Sequence, residues 1–162
     1  MKITPVTPAD LAASVLAVPP LARHADFTLN HAANQAQIDH LQAGGVRTLM
    51  YGGNANFYNT GTAEYPSILD MLEKFAAKDT WVIPSIGSDF GKAFDQCSIL
   101  RERNFPTAMA LPQSVISTEA GVATGLRKLA ERLGKPLIVY IKSDDYLSPK
   151  TVAALDADGC VA

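Results

Sequence analysis

Leu137-Ile138-Val139-Tyr140-Ile141 is the clearest strand in the sequence, and it decides the fold. The run is apolar and mostly β-branched or aromatic. Gly134-Lys135-Pro136 lies before it and Ser143-Asp144-Asp145 lies after it. A short, continuous apolar run between turn residues is typical of a parallel strand that is buried on both faces.

Four earlier runs have the same character, and amphipathic segments with helix caps lie between them. The sequence predicts strands at Ser14–Val18, Thr48–Tyr51, Trp81–Ile83 and Thr107–Leu111, in addition to the run that contains Tyr140. It predicts helices over Asn30–Gln42, from a Thr62 cap to about Lys78, over Ala93–Arg103, from a Ser117-Thr118-Glu119 cap to Leu133, and from Ser148-Pro149 to Leu155.

Gly159-Cys160-Val161-Ala162 reads as the start of a sixth strand. Because a parallel strand needs neighbours and cover on both faces, we expect residues 1–162 to form one incomplete domain of a longer protein. An alternation of strands and helices leads either to an open doubly wound sheet or to a closed (β/α)8 barrel. Periodicity alone does not choose between these two folds.

The composition argues against nucleic acids and membranes as binding partners. A net charge of −2 gives no electrostatic case for binding nucleic acid or an anionic membrane surface. No apolar run is long enough to span a bilayer, and the N-terminus lacks the features of a secretory signal, so we expect a cytoplasmic protein.

Cysteine and histidine residues are few and scattered. Cys97 and Cys160 have no motif spacing and are interpreted as small buried side chains in a reducing compartment. His24, His31 and His40 lack the spacing of zinc ligands. The sequence therefore predicts no metal site and no cofactor.

Ligands of both candidate folds bind at the carboxyl ends of the strands. The loop Gly52–Gly61 follows the second strand and is rich in glycine, so its backbone amides could cradle an anion. It lacks the G-K-[ST] ending of a phosphate-binding loop. The alternative is a structural turn with exposed aromatic side chains.

The end of the fifth strand carries titratable side chains. Tyr140 could relay a proton and Lys142 could form an imine. The alternatives are that Tyr140 is a core tyrosine and that Lys142 is a solvated loop residue. Asp144 and Asp145 suggest a metal, but adjacent aspartates in a turn are more commonly helix caps or solvated groups.

The order of several short stretches resembles the dihydrodipicolinate synthase/N-acetylneuraminate lyase family of (β/α)8 barrels. These stretches are Leu41–Val46, Gly52–Asn56, Trp81–Gly87, Lys135–Tyr140, Leu147–Val152 and Gly159–Ala162. The resemblance implies a (β/α)8 (TIM) barrel, of which this chain supplies about five βα units and the start of strand six. It also implies a homo-oligomer, either a tetramer or a dimer.

In that family a lysine on strand six forms a Schiff base with a 2-oxo acid such as pyruvate or with a sugar-acid derivative. By alignment this lysine falls just beyond Ala162. Tyr140 matches the tyrosine that relays protons near the imine. The carboxylate-binding loop G-T-T-G-E reads Gly53-Asn54-Ala55-Asn56-Phe57 here, so Gly53, Asn54 and Ala55 are expected to bind the substrate.

The sequence departs from the family pattern at several positions. The tyrosine pair of strand four is replaced by Gln113-Ser114, and we expect Ser114 to contact the substrate. Ser143-Asp144-Asp145 occupies the region where the synthases carry an arginine. These changes indicate a divergent aldolase or dehydratase of the lyase class, distinct from dihydrodipicolinate synthase itself. Two alternatives are a non-catalytic barrel that binds a small carboxylate and an unrelated flavodoxin-like domain.

Overall fold

The computed structural model describes residues 1–13, 15–113 and 117–162. Its strands are β1 (Leu16–Ala17), β2 (Thr48–Tyr51), β3 (Trp81–Ile86), β4 (Met109–Ala110) and β5 (Ile138–Val139). Its α-helices are α1 (Pro8–Ala13), α2 (His31–Ala43), α3 (Tyr65–Phe75), α4 (Phe90–Arg101), α5 (Glu119–Leu133) and α6 (Pro149–Ala157).

The five strands form one sheet in the order β1-β2-β3-β4-β5, and every pair is parallel. Each strand therefore lies beside its neighbours in the sequence, as in a (β/α)8 barrel. A flavodoxin-like sheet has the order 2-1-3-4-5, so the flavodoxin-like alternative is wrong. The sheet curls into a half-barrel with helices alternating between the strands, which confirms the predicted fold.

A sixth position in the sheet lies beside β5. Val161 forms a parallel bridge with Leu137. The Leu137 amide donates to the Cys160 carbonyl at 2.8 Å, and the Ala162 amide donates to the Leu137 carbonyl at 3.0 Å. The prediction of a strand start at Gly159–Ala162 agrees with this pairing.

Several predicted boundaries differ from the observed ones. β4 and β5 are shorter than the apolar runs that contain them because their pairing covers only two residues on each side. β3 instead continues past Ile83, since Tyr51 pairs with Pro84 and the next two residues pair with β4. The cap predicted at Thr62 is wrong: α3 begins after Glu64, and the Thr62 carbonyl accepts the Tyr65 amide at 3.3 Å in a preceding turn.

The core lies between the sheet and the helices. Thr118 and Ser148 cap α5 and α6 with their side chains, as predicted. Cys97 is fully buried, as predicted, whereas Cys160 is only partly buried. Within the described ranges, no helix is both long and apolar enough to cross a membrane.

Glu119 links the starts of α5 and α6, and this link gives a pH-dependent prediction. The Glu119 carboxylate accepts a hydrogen bond from the Ser148 amide at 2.7 Å. Hydrogen bonds from Ser148, and secondly from Thr151, lower the pKa of Glu119 from 4.5 to about 2. A lowered pKa stabilises the fold above pH 4.5, and that stabilisation is lost as the pH falls toward 2. We expect Glu119→Gln to lower the melting temperature at pH 7 but to melt like the unsubstituted protein near pH 2. A difference in melting temperature that stays constant from pH 7 to pH 2 would contradict this role of Glu119.

Candidate active site

A small cleft lies at the carboxyl ends of β2, β4 and β5. Its volume is about 90 Å³, well below the roughly 300 Å³ of the smallest drug-sized pockets, so it suits a ligand of few atoms. Its lining combines the loop after β2 with side chains from four strand regions: Val18, Met50, Gly52, Gly53, Asn54, Met109 and Tyr140.

The loop after β2 folds as two short 3-10 turns, Gly53–Ala55 and Phe57–Asn59. The amides of Gly53 and Asn54 open the first turn, where helical N–H groups lack partners within the turn. Asn56 adopts a left-handed φ of 66°, which asparagine tolerates better than most residues. The chain can therefore turn here without glycine, and Gly53 and Asn54 at the start of the turn both line the cleft.

Two hydrogen bonds fix this loop to neighbouring segments, and an ion pair holds the segments beside it. The Leu21 amide donates to the Ala55 carbonyl at 3.2 Å, and Lys92 Nζ donates to the Tyr58 carbonyl at 2.9 Å. Arg23 also binds both carboxylate oxygens of Glu64, at 2.8 and 2.7 Å, and so joins the loop after β1 to the start of α3. The donors at the cleft are thus held before any ligand arrives.

Tyr140 belongs to a group of three neighbouring phenols. Desolvation, together with the proximity of Tyr140 and Tyr146, raises the pKa of Tyr58. Tyr146 Oη accepts the Gln113 amide at 3.3 Å, whereas its partial burial raises its own pKa. Of the three, Tyr140 lines the cleft, where it faces the loop that follows β2.

The structure brings together three of the residues predicted from the sequence: Tyr140, Gly53 and Asn54. Ala55 does not line the cleft, because its methyl group is fully buried and its amide donates to the Gly52 carbonyl at 3.0 Å. Ser114 lies outside the described residues. The alternative of a loop with exposed aromatics is wrong for Phe57, which packs against Tyr51 and Tyr65 in the core.

Lys142 is exposed at the rim, with its Nζ 5.8 Å from the ring centroid of Tyr58. Asp144 and Asp145 are exposed in a turn, which agrees with their interpretation as solvated groups. In the part of the chain that the structure describes, no cluster of three or more histidine, cysteine or acidic residues could hold a metal.

Sequence reasoning missed the apolar side of the cleft. Val18 directly follows β1, Met50 lies in β2 and Met109 begins β4, and all three line the cleft. An apolar residue in or beside a strand gives no sign of whether it faces a helix or a ligand, so the sequence held no signal for these three. Tyr58 did have a signal, because it lies in the glycine-rich loop that the sequence had already singled out.

Comparison with solved structures identifies barrels that share this arrangement of strands. The chain superimposes on dihydrodipicolinate synthase from Rhodopseudomonas palustris with a TM-score of 0.80, at 18% identity over 98% of the chain and 54% of that structure. It has the fold of half of such a barrel. N-acetylneuraminate lyase from Proteus mirabilis gives a TM-score of 0.78, at 17% identity over 91% of the chain and 52% of that structure.

A third similar structure contains a ligand. The half-barrel superimposes with a TM-score of 0.71 on an E. coli K12 prophage protein of the dihydrodipicolinic acid synthase family in complex with pyruvate, at 19% identity over 87% of the chain and 50% of that structure. The half-barrel spans about half the length of the structures it matches. Neither the protein-family models nor the curated protein sequences yield a match.

Proposed function

We propose that the complete protein is a lyase that binds a 2-oxo acid, such as pyruvate or a sugar-acid derivative, as a lysine imine. The observation that carries this proposal is the cleft that Tyr140 lines together with Gly53 and Asn54. A phenol and the start of a 3-10 turn in one small cleft suit a small ligand that has a carboxylate at one end and exchanges a proton at the other.

The chemistry assigns a role to each side of this cleft. A lysine amine adds to the ligand's C2 carbonyl and water leaves, which gives a protonated imine. The imine nitrogen then accepts the electron pair released when a C3 bond to hydrogen or carbon breaks. Tyr140 carries the protons that enter and leave, while Gly53 and Asn54, together with Ser114, hold the carboxylate.

The lysine itself is proposed to follow Ala162 on the sixth strand. Val161 pairs with Leu137 in parallel beside β5, and a strand that continued in this direction would run toward the Tyr140 end of the sheet, which supports the proposal. We further propose that the protein forms a homo-oligomer, as its resemblance to the family implies.

The substrate is proposed to differ from that of dihydrodipicolinate synthase. The segment after Tyr140 is exposed and carries Asp144 and Asp145. A second substrate carboxylate there would meet negative charge, and two like charges about 4 Å apart repel by about 4 kcal/mol at an effective dielectric of 20. A neutral, hydroxyl-bearing partner such as a sugar chain avoids this repulsion.

Borohydride trapping tests the imine in the full-length protein. With pyruvate and borohydride we expect a covalent mass increase that maps to one lysine on the sixth strand. Lys142→Met is the matched control and should retain the adduct, because Lys142 lies outside the cleft at the rim. No adduct with pyruvate or with a panel of sugar-derived 2-oxo acids would contradict the lyase and favour the non-catalytic alternative.

A further inference from the structure

Ser85 on β3 has a buried hydroxyl without a partner. Its side chain is 1% exposed, and its Oγ makes no hydrogen bond among the described residues. Its carbonyl, in contrast, accepts the Tyr65 hydroxyl at 2.8 Å, which ties this point of β3 to α3. Buried hydroxyls in folded proteins are normally hydrogen-bonded, so one that is held in place and left unpaired requires an explanation.

The Ser85 hydroxyl lies at the base of the cleft. Ser85 pairs with Met109 in the sheet, so both side chains point to the same face. A Cβ built on Gly52, which lines the cleft, would be 3.9 Å from Ser85 Oγ and 2.5 Å from Met109 Cε. The methyl group of Met109 therefore lies beside Gly52 and near the hydroxyl, at the place where a Gly52 side chain would project.

The first part of the loop, residues 52–56, has no side-chain hydroxyl. Residues 52–56 offer only backbone amides and two asparagine side chains, and Asn54 is the one that lines the cleft. A carboxylate can accept about four hydrogen bonds, so two amides leave acceptor sites unfilled. A donor on the neighbouring strand would complete the set.

We propose that Ser85 donates this hydrogen bond to the carboxylate of the bound 2-oxo acid. The ligand gains access when the flexible thioether arm of Met109 rotates away from Gly52. Ser85 is thus a substrate-binding residue supplied by β3, where it compensates for the missing hydroxyls of the loop. This inference rests on the proposed function, because it takes the same ligand in the same cleft.

Replacing the hydroxyl tests the assignment in the full-length protein. We expect Ser85→Ala to raise the pyruvate concentration for half-maximal borohydride trapping by about tenfold or more, since hydrogen bonds to charged groups contribute this much. Its melting temperature without ligand should stay the same or rise, because the hydroxyl has no partner to lose. Ser85→Cys keeps the size of the side chain with a weaker donor, so it should also bind pyruvate less tightly.

Thr48→Val provides the matched control. Thr48 also has a buried hydroxyl without a partner, but it begins β2, roughly 13 Å along the strand from Gly52. Its replacement should leave the trapping curve unchanged. If Ser85→Ala is trapped at the same pyruvate concentrations as the unsubstituted protein, the Ser85 assignment alone is overturned. A lower melting temperature together with unchanged trapping would overturn it as well. Failure of the unsubstituted protein to form any adduct would overturn the proposed function and this inference together.

Discussion

Replacing Tyr140 with phenylalanine in the full-length protein is expected to slow the exchange of pyruvate methyl protons with D₂O by about 10²- to 10⁴-fold. Exchange requires a proton to leave C3 of the imine and a deuteron to return. Tyr140 is the phenol that lines the cleft, and in the proposed function its hydroxyl carries both. Proton NMR of pyruvate measures the rate without knowledge of the natural substrate.

Tyr146→Phe is the matched control for this experiment. Tyr146 is a second phenol near Tyr58, but its hydroxyl accepts the Gln113 amide and does not line the cleft. We expect its loss to change the exchange rate by no more than a few-fold. Equal exchange rates for Tyr140→Phe and the unsubstituted protein would show that Tyr140 is a packing residue.

The second large effect is expected from Gly53→Ala. A Cβ built on Gly53 would overlap the ring of Tyr58, whose carbonyl is fixed by Lys92. Either the ring or the loop must move, and overpacking of this kind costs about 1–3 kcal/mol. A shift of about 1 Å in the two amides would weaken pyruvate binding by up to about 100-fold. Borohydride trapping and thermal unfolding measure the two effects separately.

Gly91→Ala controls for the loss of a glycine. A Cβ at Gly91 meets no atom within 4 Å, and the residue lies inside α4. Alanine is favoured over glycine by about 0.5–1 kcal/mol in a helix interior, and Gly91 is the second residue of α4, so this variant should unfold at the same or a higher temperature and bind pyruvate normally. If Gly53→Ala behaved in the same way, the proposed fit between the loop and Tyr58 would be wrong.

The fold could be predicted from the sequence because its signals are local. Each strand is an apolar run between turn residues, and the caps Thr118 and Ser148 are side chains that act on the next turn. The prediction failed where long-range pairing sets a boundary, as at Pro84, which continues β3 because Tyr51 lies beside it. The cap predicted at Thr62 was also wrong, because a turn lies between Thr62 and the start of α3.

The candidate site was predictable only in part. Tyr140, Gly53 and Asn54 carry their chemistry in their residue types and follow strands, so the parallel sheet brings them to one end. Ser85 and Met109 gave no such signal, because a serine or a methionine within a buried strand is unremarkable until its neighbours across the sheet are known. The register of β3 against β4 supplies that information, and no sequence pattern encodes it.

The sequential order of the sheet has a consequence for how the chain folds during synthesis. Paired strands lie roughly 30 residues apart, so contacts stay short in sequence relative to a sheet with long crossovers. At about 5–20 residues per second, each new strand leaves the ribosome within a few seconds of the strand it joins. Growth from β1 toward β5 therefore needs no later segment to begin, because each new strand joins the edge formed by the strand before it.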